Sequence, residues 1–252
     1  MRVGFLGCGK IGQKMLNHLL EQGEHTISFV QDLCYEAPEG ATYPVVREQD
    51  ESLLEQTDLV VECATSAVLK ANFDKIIEHC DFMIFSVTAF ADADFEAHAR
   101  EVLAKSEHKF YLPHGAILGT EGIFDGRKLI TSVSIVTTKN PASLSRTDTV
   151  RTVVCDGTTR EACKAYPRNV NVHASIALAG LGFDKTRSMI VSDPAVNTNT
   201  HHIVVDGEGI HFEFDISSFS TGGVTGKYTP YSACGSLDRV LESKTDTPFY
   251  FV

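Results

Sequence analysis

A glycine cluster near the N-terminus constrains the fold of this chain more than any other feature. Arg2–Leu6 is a short apolar run that predicts a buried strand, and Gly7-Cys8-Gly9-Lys10-Ile11-Gly12 follows it at once. Apolar residues then recur every three to four positions, as they do on one face of a helix. A strand, a Gly-x-Gly-x-x-Gly turn and a helix in this order are typical of a dinucleotide-binding βαβ unit.

The glycines of this turn have separate physical tasks. Gly7 allows the tight turn, Gly9 lets a pyrophosphate approach the backbone, and Gly12 lets the helix pack close to the sheet. The helix N-terminus then offers free N–H groups and a partial positive charge to the phosphates. Lys10 and Ile11 begin this helix and belong to the predicted cofactor site. The Lys10 side chain either contacts a phosphate or is solvated, and the second alternative is favoured.

An acidic residue follows at the distance that the motif requires. Asp32 comes just after the second predicted strand, Thr26–Val30, and stands about 20 residues beyond the glycines. Its carboxylate is placed to accept hydrogen bonds from the adenosine ribose hydroxyls. No arginine follows it immediately to bind a 2′-phosphate, so the sequence favours NAD as the cofactor and leaves NADP open.

The pattern of strands and helices divides the chain into two predicted domains. Strands alternate with helices up to about residue 112, which predicts an α/β Rossmann domain with a doubly wound parallel sheet over 1–112. From Pro113 the pattern changes, and strands of period two, such as Leu129–Thr138, are interspersed with short helices. We therefore predict a mixed α+β substrate domain over 113–230 and a final helix at Tyr231–Ser243.

Charge and composition limit the partners. The formal net charge of −11 repels nucleic acid and anionic membranes, so neither is expected as a partner. The seven cysteines are scattered without a Cys-x-x-Cys pair, which argues against disulfides and a metal site. No apolar stretch is long enough to span a bilayer, and the N-terminus does not read as a secretory signal. We therefore expect a cytoplasmic protein with reduced thiols and no metal.

Three further parts of the chain resemble the L-aspartate dehydrogenase family. They are Ser86–Asp92 with Leu112–Ile117, Tyr166–Val172, and Ser192–Ala195 with Asn199–His201. The resemblance implies oxidative deamination of L-aspartate, a small dicarboxylic amino acid, to iminoaspartate and then oxaloacetate and ammonia, with NAD(P) as acceptor. In such proteins this chemistry can feed NAD biosynthesis. It also implies that the C-terminal part, 231–252, returns to the Rossmann domain, and that the protein is a homodimer or another homo-oligomer.

The resemblance also implies roles for particular residues. Ala116 and Asn171 would contact the cofactor, and His201 would be catalytic. Ala64 is also among the predicted cofactor-binding residues. A histidine with a pKa near neutrality can move the protons of amine oxidation and imine hydrolysis. We expect His201 in a polar loop just before a strand, a usual position for a catalytic group.

Other residues compete for the same roles. His114 and His173 are alternative histidines, because each lies inside one of the resembling segments. A dicarboxylate needs nearby cations, and Arg168, Lys139 and Lys227 are candidates, although each could equally be a solvated charge. The predicted substrate residues are therefore Arg168, Lys227 and His114.

Two departures from the family pattern keep other functions open. Family members commonly have serine at the position of His114, and a Pro-Lys-Thr-Ser segment where this chain has Gly222–Thr229. One alternative is a dehydrogenase or reductase of another small anionic substrate, similar to homoserine dehydrogenase or dihydrodipicolinate reductase. Another is a sensor that binds a dinucleotide without turnover.

Overall fold

Two β-sheets organise the computed structural model, which describes residues 1–219 and 226–243. The strands of the first sheet are β1 (Arg2–Leu6), β2 (Thr26–Gln31), β3 (Val45–Val46), β4 (Leu59–Glu62), β5 (Asp81–Ile84) and β6 (Phe110–Tyr111). Their order is β3-β2-β1-β4-β5-β6, and every pair is parallel. This is the strand order of a doubly wound Rossmann sheet, so the predicted fold class is confirmed.

Helices connect these strands and cover the sheet. They are α1 (Lys10–Gln22), α2 (Glu51–Leu54), α3 (Ser66–His79) and α4 (Ala93–Leu103). Helix α1 buries Met15, Leu16 and Leu19 against the sheet, as the apolar spacing predicts. It ends at Gly23, which adopts a left-handed conformation (φ +67°) and donates its N–H to the Leu19 carbonyl.

The second sheet is mixed, as predicted. Its strands are β7 (Ile130–Lys139), β8 (Thr152–Thr158), β9 (Arg187–Ser192), β10 (Thr198–Gly207) and β11 (Ile210–Phe219), and its helices are α5 (Thr120–Gly126), α6 (Thr159–Ala165) and α7 (Asn171–Ala179). The strand order is β11-β10-β7-β9-β8, in which only β7 and β9 pair in parallel. Ile176 of α7 packs on Ile135 and Ile203 of the sheet. On the opposite face, the outward side chains of β10 and β11 are partly or fully exposed.

The last described helix, α8 (Tyr228–Leu241), packs against the first sheet. Its Ala233 and Leu237 belong to the same apolar cluster as Met15 and Leu16 of α1. The helix begins at Tyr228 rather than at the predicted Tyr231. The structure does not describe residues 220–225 and 244–252. The first range contains half of Gly222–Thr229, the segment that differs from the family pattern. The domain bounds at 112 and 230 stay a prediction.

Some local predictions were wrong. The structure adds β3, an edge strand too short to leave a pattern. The sequence pattern predicts a helix over Asp50–Gln56, but the helix spans only Glu51–Leu54. The apolar run Phe82–Val87 predicts a strand, but β5 ends at Ile84 and a 3₁₀ helix occupies Val87–Ala91. His201 lies within β10 and not in a loop before it. Pairing with β7 and β11 on both edges holds the polar run Asn197–Thr200 extended from Thr198 onward, against its weak strand propensity.

Two further observations concern the cysteines and membrane-spanning helices. The seven cysteines are all free thiols. Within 1–219 and 226–243, no helix is both long enough and apolar enough to cross a bilayer.

Candidate active site

The glycine turn has the geometry of a phosphate cradle. Gly7 has φ +90°, and its N–H donates to the Gln31 carbonyl at 2.8 Å, which anchors the turn to the end of β2. A Cβ on Gly12 would lie 2.6 Å from the Gly7 carbonyl oxygen, so this position requires glycine for packing. A Cβ on Gly9 would meet nothing within 4 Å, so the backbone there faces open space. The turn therefore fits a dinucleotide pyrophosphate at the N-terminus of α1.

Asp32 fastens this turn to the sheet. Its carboxylate accepts the N–H groups of Cys8, Cys34 and Tyr35, each at 2.8 Å. Burial opposes ionisation, but these three bonds and nearby Arg47 outweigh it and hold the pKa of Asp32 below its usual value. A carboxylate has about four acceptor positions, so one remains for a ribose hydroxyl.

An arginine lies beside Asp32 despite its distance along the chain. Arg47 follows β3, and its guanidinium donates to the backbone carbonyl of Asp32 and to that of Tyr35, the latter at 2.8 Å. The parallel pairing of β2 with β3 brings it there. The sequence prediction considered only the positions immediately after Asp32 and therefore missed this cation.

A cleft opens where the carboxyl ends of the first-sheet strands meet the second sheet and the start of α7. The lining residues that the argument uses are Ile11, His114, Ala116, Lys139, Arg168, Asn171 and His201. Six of the predicted site residues share this cleft: Ile11, His114, Ala116, Arg168, Asn171 and His201. Ala64 lies behind the turn, against Gly7. Lys10 and Lys227 are exposed and do not line the cleft.

His201 is the buried imidazole of the cleft. It is 4% exposed, and its Nδ1 lies 2.8 Å from Thr137 Oγ1. Burial and the charge of Lys139 lower its pKa to about 3, so the ring is neutral at ordinary pH. The expected pKa near neutrality is therefore not found in this structure. The free ring nitrogen can accept a proton, but a pKa this low makes the imidazole a weaker base than a histidine that titrates near neutral pH. The neighbouring His202 points to the opposite face of the strand, where it pairs with Asp215.

The two alternative histidines occupy different positions. His173 is fully buried and does not line the cleft; its ring nitrogens bond Thr137 at 2.6 Å and Ser188 at 2.8 Å. His114 is half-buried at the cleft, and its Nδ1 donates to the Ile117 carbonyl at 2.6 Å. Neither is both buried and part of the cleft lining, as His201 is.

Lys139 provides a buried cation. It ends β7, is 3% exposed, and donates to the backbone and side-chain oxygens of Asn169 at 3.2 and 3.4 Å. Burial lowers its pKa to about 8, and no described carboxylate lies within ion-pair distance. Such a cation favours an anionic ligand. The sequence does contain a signal for this burial. Every second residue of β7 is buried from Val133 through Ile135 and Thr137, and Lys139 is the next position in that series.

Hydrogen bonds hold Asn171 and the loop that carries Ala116, whereas Arg168 is exposed. Asn171 begins α7, and its Oδ1 accepts the Thr88 N–H at 3.1 Å, which leaves its NH₂ group as a donor. Arg168 is exposed at the rim of the cleft. Ser232 of α8 donates to the Gly115 carbonyl, which ties the loop that carries Ala116 to the first domain.

Glu62 was not identified from the sequence as a residue near the cofactor turn. Glu62 ends β4, is fully buried, and accepts the N–H groups of Ala64, Phe85 and Ser86 together with the Ser86 hydroxyl. Burial raises its pKa, while those four donors oppose the change. The carboxyl thus joins the loops after β4 and β5 beside the glycine turn.

A group of potential metal ligands lies elsewhere. Within the described ranges, His202, Glu213 and Asp215 form the one cluster whose ligand atoms lie within 4.8 Å of one another. It is on the outer face of the second sheet, opposite His201, so it has no part in the chemistry of the cleft.

Fold and cleft together define a dinucleotide-binding protein of the Rossmann class, and comparison with known proteins agrees. The family model "Homoserine dehydrogenase, NAD binding domain" matches residues 7–113, and "Aspartate dehydrogenase, C-terminal" matches residues 124–240. The L-aspartate dehydrogenase of Thermotoga maritima is 32% identical over 247 residues, 97% of this chain and 98% of that protein. That of Archaeoglobus fulgidus is 33% identical over 244 residues, 96% and 97% of the two chains. The chain belongs to the L-aspartate dehydrogenase family.

Solved structures place the fold in the same family. The crystal structure of aspartate dehydrogenase from Thermotoga maritima superposes with a TM-score of 0.81 at 28% identity, covering 100% of this chain and 99% of that one. A dihydrodipicolinate reductase from Paenisporosarcina gives a TM-score of 0.54 at 14% identity, covering 96% and 93%, which is a likeness of fold alone. The alternative substrates are therefore not favoured by these comparisons.

Proposed function

We propose that this protein catalyses the NAD(P)-dependent oxidative deamination of L-aspartate to iminoaspartate, which hydrolyses to oxaloacetate and ammonia. The observation that carries the proposal is the cleft itself, where a neutral buried histidine and a buried lysine stand beside a dinucleotide turn. The names of the relatives supply the substrate, and the described residues account for the chemistry that this substrate needs.

The cofactor would be held along the carboxyl edge of the first sheet. The backbone at Gly9 and the N-terminus of α1 bind the pyrophosphate, Asp32 takes a ribose hydroxyl, and Ala116 and Asn171 hold the nicotinamide end. When bound there, the nicotinamide supplies the acceptor for the hydride that leaves the substrate Cα.

Arg47 supports the use of NADP as well as NAD. Its guanidinium lies next to the predicted ribose site and presents planar donors that suit a 2′-phosphate. Asp32 suits the unphosphorylated ribose, so the two side chains together favour dual use. Arg47 therefore takes the role of the arginine that is missing directly after Asp32, because the fold brings it to the same place.

His201 serves as the general base. Its Nδ1 is bonded to Thr137, so Nε2 is the nitrogen that faces substrate in the cleft. It takes a proton from the amine as hydride leaves the substrate Cα, and releases that proton to solvent. It then takes a proton from the water that adds to the imine. The low pKa keeps the ring unprotonated at the start of each step.

Lys139 and Arg168 bind the carboxylates. Lys139 has no described acidic partner and lies inside the cleft, so it suits the carboxylate that enters deepest. Arg168 at the rim can bind the second carboxylate through paired donors. Two cations at different depths select a short dicarboxylate over a monocarboxylic amino acid.

The setting in the cell and the assembly belong to the same proposal. The free thiols suit the reducing cytoplasm. The outer face of the second sheet, where side chains of β10 and β11 are partly or fully exposed, suits a homo-oligomeric contact. The imine product can feed NAD biosynthesis, as the family resemblance implies.

A direct assay tests the reaction. Purified protein should form NADH from NAD only when L-aspartate is present, and NADP should substitute. His201→Ala should lower kcat by about 100-fold or more, because no base remains to accept the amine proton. His202→Ala, on the opposite face of β10, is the matched control and should retain wild-type kcat. Turnover of homoserine without any turnover of aspartate would refute the proposal.

A further inference from the structure

A chain of hydrogen bonds leads from the cleft into the interior of the second sheet. From the cleft inward, its members are His201, Thr137, His173, Ser188, Thr159 and the backbone carbonyl of Thr186. The successive distances are 2.8, 2.6, 2.8, 2.8 and 3.2 Å. Every side chain in it is at most 4% exposed, so bulk water does not compete for these bonds.

The inner end of the chain sets the direction of donation. The Thr186 carbonyl can only accept, so the Thr159 hydroxyl donates its single proton there. Thr159 must then accept from the Ser188 hydroxyl, whose proton is thereby used. Ser188 in turn accepts, so His173 carries its proton on Nδ1.

The same reasoning continues outward to the cleft. His173 is neutral, because burial, together with the nearby charge of Lys139, lowers its pKa well below the usual value. With Nδ1 protonated, its Nε2 is an acceptor and takes the proton of the Thr137 hydroxyl. Thr137 can then only accept from His201, which places the proton of His201 on Nδ1.

The reverse order is poorer by one bond. If every donor pointed outward, Thr159 would donate to Ser188 and its oxygen would face the Thr186 carbonyl without a proton between them. His201 would then carry its proton on Nε2 and present a donor, not a lone pair, to the cleft. The carbonyl at the inner end therefore decides which nitrogen of His201 is basic.

We propose that this buried chain fixes His201 as the Nδ1–H tautomer, with Thr137, His173, Ser188 and Thr159 as positioning residues. The inference rests on the proposed function, because it supplies the lone pair that the base uses. After Nε2 takes a proton, Nδ1 still donates to Thr137, so one arrangement of the chain serves both protonation states. No hydroxyl has to rotate during turnover.

Nitrogen NMR reads the tautomer directly. In the full-length protein with ¹⁵N-labelled histidine at neutral pH, the His201 signals are assigned by their loss in His201→Gln. We expect a protonated Nδ1 and an unprotonated Nε2. A protonated Nε2 in the wild-type protein would overturn the inference whatever substrate the enzyme uses. The Nδ1–H tautomer in a protein that does not oxidise L-aspartate would refute only the proposed function.

A distant substitution separates tautomer control from simple packing. Thr159→Val keeps the shape but removes the inner anchor, so Ser188 is free to donate outward and a fraction of His201 should shift to the Nε2–H tautomer. Thr159→Ser keeps the hydroxyl and should retain the wild-type tautomer. An unchanged spectrum in a folded Thr159→Val protein would contradict the proposed direction of the chain. If Thr159→Val does not fold, the wild-type spectrum still decides.

Kinetics test the member next to the base. Thr137→Val removes the acceptor of His201 Nδ1–H, and kcat should fall by about 10- to 100-fold, the range for partners that orient a functional histidine. The KM for L-aspartate should change little, because Thr137 does not line the cleft. Thr137→Ser should restore kcat. Equal losses in the valine and serine variants would show a packing role and refute the positioning role.

Discussion

Lys139→Met is expected to stabilise the fold while it removes substrate binding. Burial lowers the pKa of Lys139 from 10.5 to about 8. Because a difference of one in pKa corresponds to about 1.4 kcal/mol, the charged form costs the folded state about 3 kcal/mol. Losing two long hydrogen bonds to Asn169 offsets about 1 kcal/mol. The methionine variant should therefore be more stable by about 2 kcal/mol at neutral pH.

The stability gained by Lys139→Met should decrease as the pH rises. Below pH 8 the lysine is protonated in both the folded and the unfolded chain, so the cost of burying the charge is fully present. Between pH 8 and 10.5 the folded protein has lost this proton while the unfolded chain still binds it, so the cost fades. The advantage of Lys139→Met should shrink across this range and be small above it.

Urea unfolding at two pH values measures the effect. Midpoints and slopes at neutral pH and near the upper end of the range give the free energies of unfolding, at one protein concentration throughout. Lys185→Met, at an exposed position, is the control and should change stability by less than about 0.5 kcal/mol. A methionine variant that is less stable at neutral pH, with a difference independent of pH, would refute the reasoning. Unchanged kcat/KM for L-aspartate would separately remove Lys139 from substrate binding.

Substitutions in the cofactor site should separate binding from folding. Gly9→Ala should leave stability unchanged within about 1 kcal/mol, since its methyl group meets nothing within 4 Å, yet weaken NAD binding about tenfold or more in a calorimetric titration. Gly12→Ala should instead lower the free energy of unfolding by about 1 to 3 kcal/mol, because its methyl group would lie 2.6 Å from the Gly7 carbonyl. Arg47→Ala should raise the KM for NADP about tenfold and leave that for NAD nearly unchanged. Equal effects on both cofactors would exclude a 2′-phosphate role.

Local patterns carried much of the fold prediction. The glycine turn, the stop at Gly23 and the apolar face of α1 depend on interactions within a few residues, so the sequence specifies them directly. The same holds for the alternation of strands and helices, which predicts a parallel sheet because the crossover between two parallel strands is usually a helix. Short elements such as β3 escaped because two residues are too few for a period to show.

The chemistry of the cleft was decided by contacts across the chain. The sequence named His201, His173 and Lys139, but nothing local ranks one histidine or one lysine above another. Burial in the folded sheet lowers the pKa of His201 and of Lys139. Pairing of β7 with β10 sets Thr137 opposite His201, and the packing of α7 on the sheet brings His173 to the same hydroxyl. These effects depend on desolvation and on hydrogen bonds between residues far apart in sequence. The proposals for the base, the cation and the direction of the hydrogen-bond chain therefore depend on the tertiary structure, because no local pattern in the sequence contains these contacts.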